Sequence, residues 1–302
     1  MCRSDLRDLV ARHAPVHGVF PTPIEGLRVF RVEAPIERLP GIYPASLCCV
    51  VAGTKRLYLG GRVFVYDEDH YLCATLALPV EAEVPTASRE TPVLGVTFDL
   101  DTPAMTETRV AYEAAARARH EAEPTDEVPG LCVGRLEEPV REAVGRLLEL
   151  LDDPVALRVL APSRVRELGF ALLEGAAGPL LRRATVGMAE IAEIVEYLRT
   201  HVDAPVTVEA LARRAGMSRA VFHRRFKAAT NHSPLQFVKA LRLHHAALRI
   251  AAGEGASEAA RAVGYASASQ FSREFSRRFG MSPRSWRRAL AAAEVDPLAA
   301  AI

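Results

Sequence analysis

Hydrophobic and polar positions alternate along much of the first hundred residues, which is the pattern of strands with one buried face. Leu27 to Val32 alternates in this way, and Leu47 to Val51 is a short continuous apolar run. Gly60-Gly61 separates two further strand-like runs and therefore predicts a tight hairpin. Short strands at this regular spacing predict a sandwich or a small barrel.

From Pro103 onward the apolar residues recur with the spacing of helices. Residues 140–151 and 162–173 each carry an apolar stripe on one side. Two roles remain open for the helices within 137–175: they pack against the strands of their own chain, or they form a dimer. The glycine-containing stretch that follows predicts an interdomain linker over residues 179–187.

One pattern occurs twice between Val206 and Pro283. Phe-x3-Phe-x6-Ser-Pro begins once at Phe222 and again at Phe271, and an Ala-rich segment with a glycine precedes each copy. A short helix, a glycine-containing turn and a second helix form the layout of a helix-turn-helix. The repeat therefore predicts two DNA-reading units, at about 207–228 and about 257–279. A longer helix over 234–252 would join them.

The second helix of each unit has an apolar and a polar side. Phe222 and Phe226 are one turn apart, as are Phe271 and Phe275, so these rings define the buried side. The opposite side carries Ala220, His223, Arg224 and Lys227 in the first unit and Ser269, Ser272, Arg273 and Ser276 in the second. Small hydroxyl side chains let a helix enter the major groove deeply, and arginine binds guanine at two points. Amphipathic helices with ordinary solvated faces share this period, but the repetition favours DNA readers.

Charge distinguishes the two halves of the chain. The net charge of the 302 residues is +1, yet residues 186–290 hold 17 Lys and Arg against 8 Asp and Glu. The composition, 49% hydrophobic and 25% charged, is that of a globular protein with room for two domains. A basic C-terminal half and an acidic N-terminal half fit one domain that binds nucleic acid and one that avoids it.

Cysteine usage and hydropathy indicate the compartment. The five cysteines form no C-x-x-C motif, and their odd number argues against a disulfide framework: they are Cys2, Cys48, Cys49, Cys73 and Cys132. We interpret them as reduced, mostly buried thiols, with a redox-sensor role as the alternative. No signal peptide and no apolar run of membrane-spanning length are present, so we expect a cytoplasmic protein without membrane contact.

Many spacings in the C-terminal segment agree with one known family at once. The matching residues are Leu211-Ala212, Gly216-Met217-Ser218, Phe222, Phe226-Lys227, Ser233-Pro234, Arg242-Leu243, Ala260, Val263-Gly264-Tyr265, Ser267, Phe271, Arg273, Phe275, Phe279-Gly280 and Ser282-Pro283. On these residues the segment from Val206 to Arg288 resembles the AraC/XylS-type DNA-binding domain. The resemblance implies a bacterial transcription regulator that binds double-stranded promoter DNA.

The resemblance also implies which residues contact DNA. The positions at which such regulators read bases hold Ala220, His223, Arg224, Ala268, Ser269, Ser272 and Arg273. Phosphate contacts are expected separately, from residues towards the ends of the recognition helices, where the DNA backbone passes: Ser218, Lys227, Ser267, Arg277, Arg278 and Arg284.

The strand region carries a second set of matches: Gly26-Leu27, Phe30-Arg31, Pro44, Gly53-x-Lys55-Arg56, Leu59-Gly60, Tyr66-Asp67, His70-Tyr71-Leu72, Leu78-Pro79-Val80 and Phe98-Asp99-Leu100-Asp101. It resembles the AraC-type regulator N-terminal domain, which senses or dimerises. The implied architecture is multi-domain. An all-β cupin-like jelly-roll barrel with flanking helices (1–178) precedes an all-α double helix-turn-helix domain (188–290) and a tail (291–302).

A DNA reader needs no second domain for binding, so we expect the N-terminal domain to bias it. Small barrels enclose one small ligand, and Phe64, Tyr66 and Tyr71 could line such a cavity or instead fill a closed core. The inner faces of the predicted strands carry no cluster of charged residues, so any effector is expected to be an uncharged or weakly acidic organic molecule. A second copy of the chain and RNA polymerase are expected as further partners. No cofactor is predicted.

The alternatives to a DNA-binding regulator are a metal enzyme, a DNA-repair fusion and a module that binds protein. Cupin-type folds also host metal enzymes, whose sites need clustered His and carboxylate ligands. The strand region from 27 to 100 holds one histidine, His70, so neither a metal site nor a catalytic site is predicted. A DNA-repair fusion would need a cysteine-rich zinc site, which the sequence lacks. A module that binds protein through its basic repeat would lack the steep salt dependence of a DNA binder.

Overall fold

The computed structural model describes residues 3–116, 129–186 and 188–293. Cys2, residue 187 of the expected linker and the tail from residue 294 lie outside these ranges. The described part of the chain has an N-terminal β-sandwich with flanking helices and a C-terminal helical region. This confirms the predicted fold class.

Two antiparallel sheets make up the sandwich. In chain order the strands are β1 (Gly18–Pro21), β2 (Leu27–Val32), β3 (Ile36–Tyr43), β4 (Ser46–Ala52), β5 (Thr54–Leu59), β6 (Arg62–Asp67), β7 (His70–Ala74), β8 (Leu78–Val84), β9 (Val93–Asp99) and β10 (Leu131–Arg135). The six-stranded sheet has the order β1-β2-β9-β4-β7-β10, and the four-stranded sheet has the order β3-β8-β5-β6.

The predicted hairpin at Gly60-Gly61 is confirmed. Strand β5 pairs with β6 from Thr54 opposite Asp67 to Leu59 opposite Arg62. Gly60 and Gly61 have φ values of 57° and 83°, and both central residues of a tight hairpin turn of this hand need positive φ.

The six-stranded sheet is buried on both faces, because helices cover the side that does not meet the other sheet. Cys48 lies in the core between the sheets and Cys49 in the core beneath the helices. Successive side chains of a strand point to opposite faces, so the adjacent thiols belong to different cores.

The helices of the N-terminal region are α1 (Arg3–His13), α2 (Pro103–Ala116), α3 (Glu138–Glu149), α4 (Pro154–Glu174) and α5 (Gly178–Val186). Helix α4 begins well before the predicted residue 162. The Asp153 carboxylate accepts hydrogen bonds from the backbone N–H groups of Val155 and Ala156, at 2.9 and 3.0 Å, which caps the helix there. Pro162 lies inside it.

The stretch expected to be a linker is largely the helix α5. Leu180 and Leu181 are 3% and 5% exposed in the core beneath the six-stranded sheet. Their burial stabilises a helix in a stretch for which the neighbouring glycines predicted a linker.

Seven helices form the described part of the C-terminal region: α6 (Ala189–Thr200), α7 (Val208–Arg214), α8 (Arg219–Thr230), α9 (Pro234–Ala251), α10 (Ala256–Ala262), α11 (Ala268–Phe279) and α12 (Pro283–Ala293). Both predicted helix-turn-helix units and the joining helix are therefore present. Helix α9 also packs against β3 and β8, so the helical region is docked on the four-stranded sheet.

Candidate nucleic-acid interface

The first helix-turn-helix unit consists of α7 and α8. Ser218 caps α8, with its hydroxyl accepting from the Val221 N–H at 3.4 Å. Phe222 and Phe226 are fully buried, with ring centroids 5.3 Å apart, and Phe226 meets Phe237 of α9 edge-on at 5.2 Å. The aromatic side of α8 therefore anchors the unit, and its other side is left for solvent or a partner.

The second unit, α10 and α11, repeats this construction. Ser267 caps α11 by accepting from the Gln270 N–H at 3.3 Å. Phe275 is fully buried and touches Phe271 and Phe279, with centroid distances of 5.4 and 4.6 Å. Phe279 in turn stacks on Trp286 of α12 at 5.6 Å. The predicted inner faces of both recognition helices are confirmed.

The turn of the second unit needs its glycine for two reasons. Gly264 has a φ of 83°, which L-residues rarely adopt. A β-carbon at this position would also lie 2.6 Å from the backbone oxygen of Asp203. The glycine therefore lets the turn approach the segment that precedes α7, which fixes α10 against the rest of the domain.

The expected base-contacting side chains share one accessible side of each recognition helix. Ser272 is partly buried, and the others are exposed: Ala220, His223, Arg224, Ala268, Ser269 and Arg273. Arg273 has no ion-pair partner among the residues that the structure describes. Their contact with bases stays a prediction, and their placement is compatible with it.

Most of the expected phosphate contacts are accessible as well. Lys227, Arg277 and Arg284 are exposed, and the Ser218 and Ser267 hydroxyls serve as helix caps. Helix N-termini of this kind are good positions for a phosphate.

Arg278 is placed differently from the other phosphate candidates. Its Nη2 lies 2.6 Å from Oε1 of Glu81, which belongs to β8 of the N-terminal domain. Glu81 is only 5% exposed, and Arg38 binds its other oxygen at 2.9 Å. In this arrangement the Arg278 guanidinium is engaged by the N-terminal domain, so contact with a phosphate is a prediction for a state in which the pair is open.

The C-terminal end of the first recognition helix also rests on the N-terminal domain, at two glycines. The Gly130 N–H donates to the Ala229 oxygen at 2.7 Å, and a β-carbon on Gly130 would lie 2.7 Å from that oxygen. A β-carbon on Gly60 would overlap the backbone oxygen of Asn231. Together with the Glu81–Arg278 pair, these contacts form what we call the docking interface.

Few features of the sequence predict the docking interface. Its members lie far apart along the chain, and Gly60 was explained fully by its hairpin turn. The one local signal is the acidic Glu81 in β8, a strand otherwise made largely of apolar residues. A carboxylate in such a strand needs a cationic partner when it is buried.

The structure does not bring the three expected effector-pocket residues together. Tyr66 lies between the sheets, with its hydroxyl 3.3 Å from that of Tyr43. Tyr71 points to the other face of the six-stranded sheet, where its hydroxyl accepts from the Ala177 N–H at 3.0 Å. Phe64 is partly buried beneath the Arg62 guanidinium, 5.0 Å from its ring. Because residues alternate along β7, Tyr71 cannot line a cavity between the sheets.

The same core holds a buried lysine that was not among the expected site residues. Lys55 is 2% exposed, and its Nζ lies 4.8 Å from the Phe30 ring and 5.9 Å from the Tyr66 ring. Burial lowers the pKa of its ammonium group, because the apolar core disfavours the charged form. Its place in an alternating strand was a visible signal, since Lys55, Leu57 and Leu59 share one face.

Other site types are not found in the described ranges. Residues 3–116, 129–186 and 188–293 contain no group of three or more His, Cys, Asp or Glu side chains that could hold a metal ion. The Nδ1 of His70 lies 2.8 Å from the carboxylate of its neighbour Asp67. None of the helices in those ranges is both long and apolar enough to cross a membrane.

The chain combines an N-terminal β-sandwich with two helix-turn-helix units, each with a capped recognition helix, which is the architecture of a DNA-binding protein with two recognition helices. Sequence comparison agrees with this class. A family model described as the AraC-type transcriptional regulator N-terminus matches residues 23–180, and a helix-turn-helix model matches residues 211–289. The chain therefore belongs to the AraC-type transcriptional regulators, which bind DNA through the helix-turn-helix domain.

Curated relatives carry regulator names. The MmsAB operon regulatory protein of Pseudomonas aeruginosa is 33% identical over 130 residues, which cover 43% of this chain and 40% of that protein. The transcriptional activator RhaS of Escherichia fergusonii is 28% identical over 189 residues, covering 60% of this chain and 68% of RhaS. The match thus spans less than half of the first of these relatives.

Solved structures support the fold. ToxT from Vibrio cholerae superposes with a TM-score of 0.58 at 11% identity, covering 87% of this chain and 97% of ToxT. A ToxT structure with a bound unsaturated fatty acid gives a TM-score of 0.54 at 9% identity, covering 86% and 94%. At these identities the likeness concerns the fold alone.

Proposed function

We propose that this regulator reads one DNA site with two heads, α8 and α11, inserted into successive major grooves. The observation that carries this proposal is the pair of capped, aromatic-anchored helices joined by α9. The 18 residues of α9 span about 27 Å at ~1.5 Å per residue. Successive major-groove faces are about 34 Å apart, so the joining helix has a suitable length.

Within each head we assign some side chains to base contacts and others to phosphate contacts. His223 and Arg224 in the first head, and Ser269, Ser272 and Arg273 in the second, reach base edges, and Arg273 binds a guanine at two points. Ala220 and Ala268 supply methyl contacts. Lys227, Arg277 and Arg284 neutralise phosphates, which position the protein without specifying sequence.

Selection from a random duplex library by the full-length protein tests this proposal. We expect an enriched site with two conserved blocks about one helical turn apart. The Arg273→Ala variant should relax the sequence preference in one block only. Arg158→Ala removes the same charge from an exposed position of α4 and serves as the matched control. Enrichment of duplexes that share no conserved block, as expected for a basic patch that binds any DNA, would contradict the proposal.

We further propose that the N-terminal domain controls DNA binding through a small-molecule effector. The docking interface holds both recognition helices from one side, so a ligand that favours the docked or the undocked state changes DNA affinity. Lys55, Tyr43 and Tyr66 are polar groups inside the sandwich and support a weakly acidic organic ligand. The fatty acid bound by the structural relative ToxT is a ligand of this chemical kind.

The effector proposal is tested on the full chain. Thermal stability and affinity for the selected site are measured against a panel of weakly acidic and uncharged organic molecules. A true effector raises the unfolding temperature and changes DNA affinity, and Lys55→Met, which keeps the side-chain volume, should lose both responses to an acid. Compounds that change the unfolding temperature without changing the DNA affinity would show that ligand binding at this domain does not control DNA binding.

The protein is further proposed to act as a homodimer in the bacterial cytoplasm, with RNA polymerase as its downstream partner. An exposed apolar stripe on α4 supports dimerisation, since Val155, Val159 and Phe170 are 74%, 69% and 52% exposed. Sedimentation of the wild type beside Val159→Glu tests it. A monomeric wild type would contradict the dimer without affecting the DNA-reading proposal.

A further inference from the structure

Two cysteines face each other across neighbouring strands of the six-stranded sheet. Cys73 of β7 is directly opposite Cys132 of β10 in the antiparallel register. Two residues further along, the Thr75 N–H donates to the Gly130 oxygen at 2.9 Å. Hydrogen-bonded positions recur at every second residue, so the cysteine pair is also a hydrogen-bonded pair.

The backbone spacing at such a pair suits a disulfide. Opposite α-carbons in hydrogen-bonded antiparallel pairs are about 5.5 Å apart. Disulfides join α-carbons that are about 4.4–6.8 Å apart. Both side chains point to the same face, since opposite residues in a register share it. Closing the bond therefore needs rotation of the side chains rather than a new backbone path.

The two thiols are chemically unequal. Cys73 is fully buried, whereas Cys132 on the edge strand is partly exposed, and the two side chains are hydrogen-bonding partners. The hydrogen bond from Cys73 lowers the pKa of Cys132, while that bond and burial raise the pKa of Cys73. Cys132 is consequently the thiol that ionises and meets an oxidant first, and Cys73 is positioned behind it.

Neither neighbouring thiol can replace Cys73 in this arrangement. Cys48 lies on the opposite face of the sheet. Cys49 shares the face of Cys73 but stands opposite Tyr71 in the β4–β7 register, and burial raises its pKa.

We propose that Cys73 and Cys132 form an oxidisable dithiol whose substrate is a hydroperoxide. The Cys132 thiolate attacks the terminal peroxide oxygen and breaks the O–O bond, which releases an alcohol or water and leaves a sulfenic acid on Cys132. The Cys73 sulfur then attacks the Cys132 sulfur, and the sulfenic hydroxyl leaves as water. In sum, two thiols and one hydroperoxide give one disulfide, one alcohol (or water) and one water.

The bond would fix the edge of the sheet next to the docking interface. Strand β10 begins one residue after Gly130, whose N–H holds the end of the first recognition helix at Ala229. Oxidation would tie this edge strand to β7 and close a loop of roughly 60 residues, which restricts the unfolded chain. Both thermal stability and amide protection of β10 should rise.

The test uses the full-length protein with Cys2→Ser, treated with equimolar hydrogen peroxide and then alkylated under denaturing conditions. We expect a product about 2 Da lighter than the dithiol before alkylation, with two fewer alkylated cysteines. Digestion should yield one linked peptide pair, containing Cys73 and Cys132, that dithiothreitol separates. The oxidised protein should also unfold at a higher temperature.

Matched variants decide between this pair and general oxidation. Cys49→Ala should leave the linked peptide unchanged, whereas Cys132→Ser should abolish it without a new disulfide elsewhere. Cys73→Ala should leave Cys132 trapped as a sulfenic acid that a dimedone-type reagent labels. Sulfinic acid on Cys132 in the wild type with no linked peptide, or a disulfide that joins any other pair, would overturn the proposal.

Discussion

Arg278 of the second recognition helix binds Glu81 of the N-terminal sandwich, with 2.6 Å between Nη2 and Oε1. The pair joins a cation on a DNA-reading element to a buried carboxylate that Arg38 also neutralises. In the docked arrangement Glu81 occupies the Nη2 group of Arg278, so a phosphate can bind this group only after the pair opens. If Arg278 contacts a phosphate as predicted, the docked arrangement competes with DNA for its Nη2 group.

Glu81→Gln should weaken the docking interface and free Arg278. Because coupling between two sites is typically ~1–3 kcal/mol, we expect DNA affinity to rise about fivefold or more. Fluorescence anisotropy with a labelled duplex measures it. Glu83→Gln is the control, since Glu83 lies on the same strand but binds Tyr58 and Arg56 within its own domain. Equal affinities of wild type and Glu81→Gln would show that the pair does not restrain DNA binding.

Arg273→Ala should cost about 1–3 kcal/mol on the selected site and little on random DNA, because the lost contact is to a base edge. Arg277→Ala should instead weaken both by similar factors and reduce the salt slope by about one unit, as loss of a phosphate contact does. DNA titrations of both variants at several salt concentrations distinguish a base contact from a phosphate contact. Equal losses on both DNAs for Arg273→Ala would reassign Arg273 to a phosphate.

Phe275→Ala should destabilise the second head by about 3–5 kcal/mol, since the ring is fully buried among three aromatic partners. Chemical denaturation followed by circular dichroism gives the free energy of unfolding. Leu235→Ala is the control, because Leu235 belongs to α9 of the same domain and is 55% exposed. Similar small losses for both variants would be incompatible with the aromatic core of α11.

Stability should fall in mild acid because of His244. Burial, with help from nearby Arg278, lowers the pKa of this histidine to about 3, and its Nδ1 is bonded to the Ala240 oxygen at 2.7 Å. The unfolded chain takes up this proton below about pH 6.5 while the folded protein does not, so acid favours unfolding. At pH 5 the loss should be about 2 kcal/mol relative to neutral pH.

Denaturant titrations between pH 7.5 and 5 (a range of about 2.5 units) measure this dependence. His244→Leu should reduce the slope of the free energy of unfolding against pH by up to the equivalent of one bound proton. His223→Gln, at an exposed position of the same domain, should leave this slope unchanged. A wild type whose free energy of unfolding is unchanged over this range would contradict a neutral, buried His244.

A feature could be predicted from the sequence when the residues that specify it lie close together along the chain. The aromatic repeat at Phe222 and Phe271 is local, so it located both heads and their inner faces. The Gly60-Gly61 hairpin is local as well. By contrast, the Glu81–Arg278 pair joins residues from two domains, and no pattern within either segment specifies it.

Two differences between expectation and structure depend on tertiary contacts. Glycines suggested a flexible linker where Leu180 and Leu181 bury a helix, because burial in the tertiary structure outweighs local propensity. Tyr66 and Tyr71 were expected to line one cavity because both offer aromatic and hydroxyl groups on strands that follow each other along the chain. Which sheet face each one occupies depends on register and on the helices that cover the sheet.

The most direct test of two-headed DNA reading is a footprint of the full-length protein on its selected duplex, made with guanine-methylation interference at single-base resolution. We expect two patches of interference in the major groove, on the same side of the duplex and about 10 base pairs apart. The patch that disappears in Arg273→Ala identifies the base pair read by α11. A single patch, or two patches that both persist in that variant, would contradict the account.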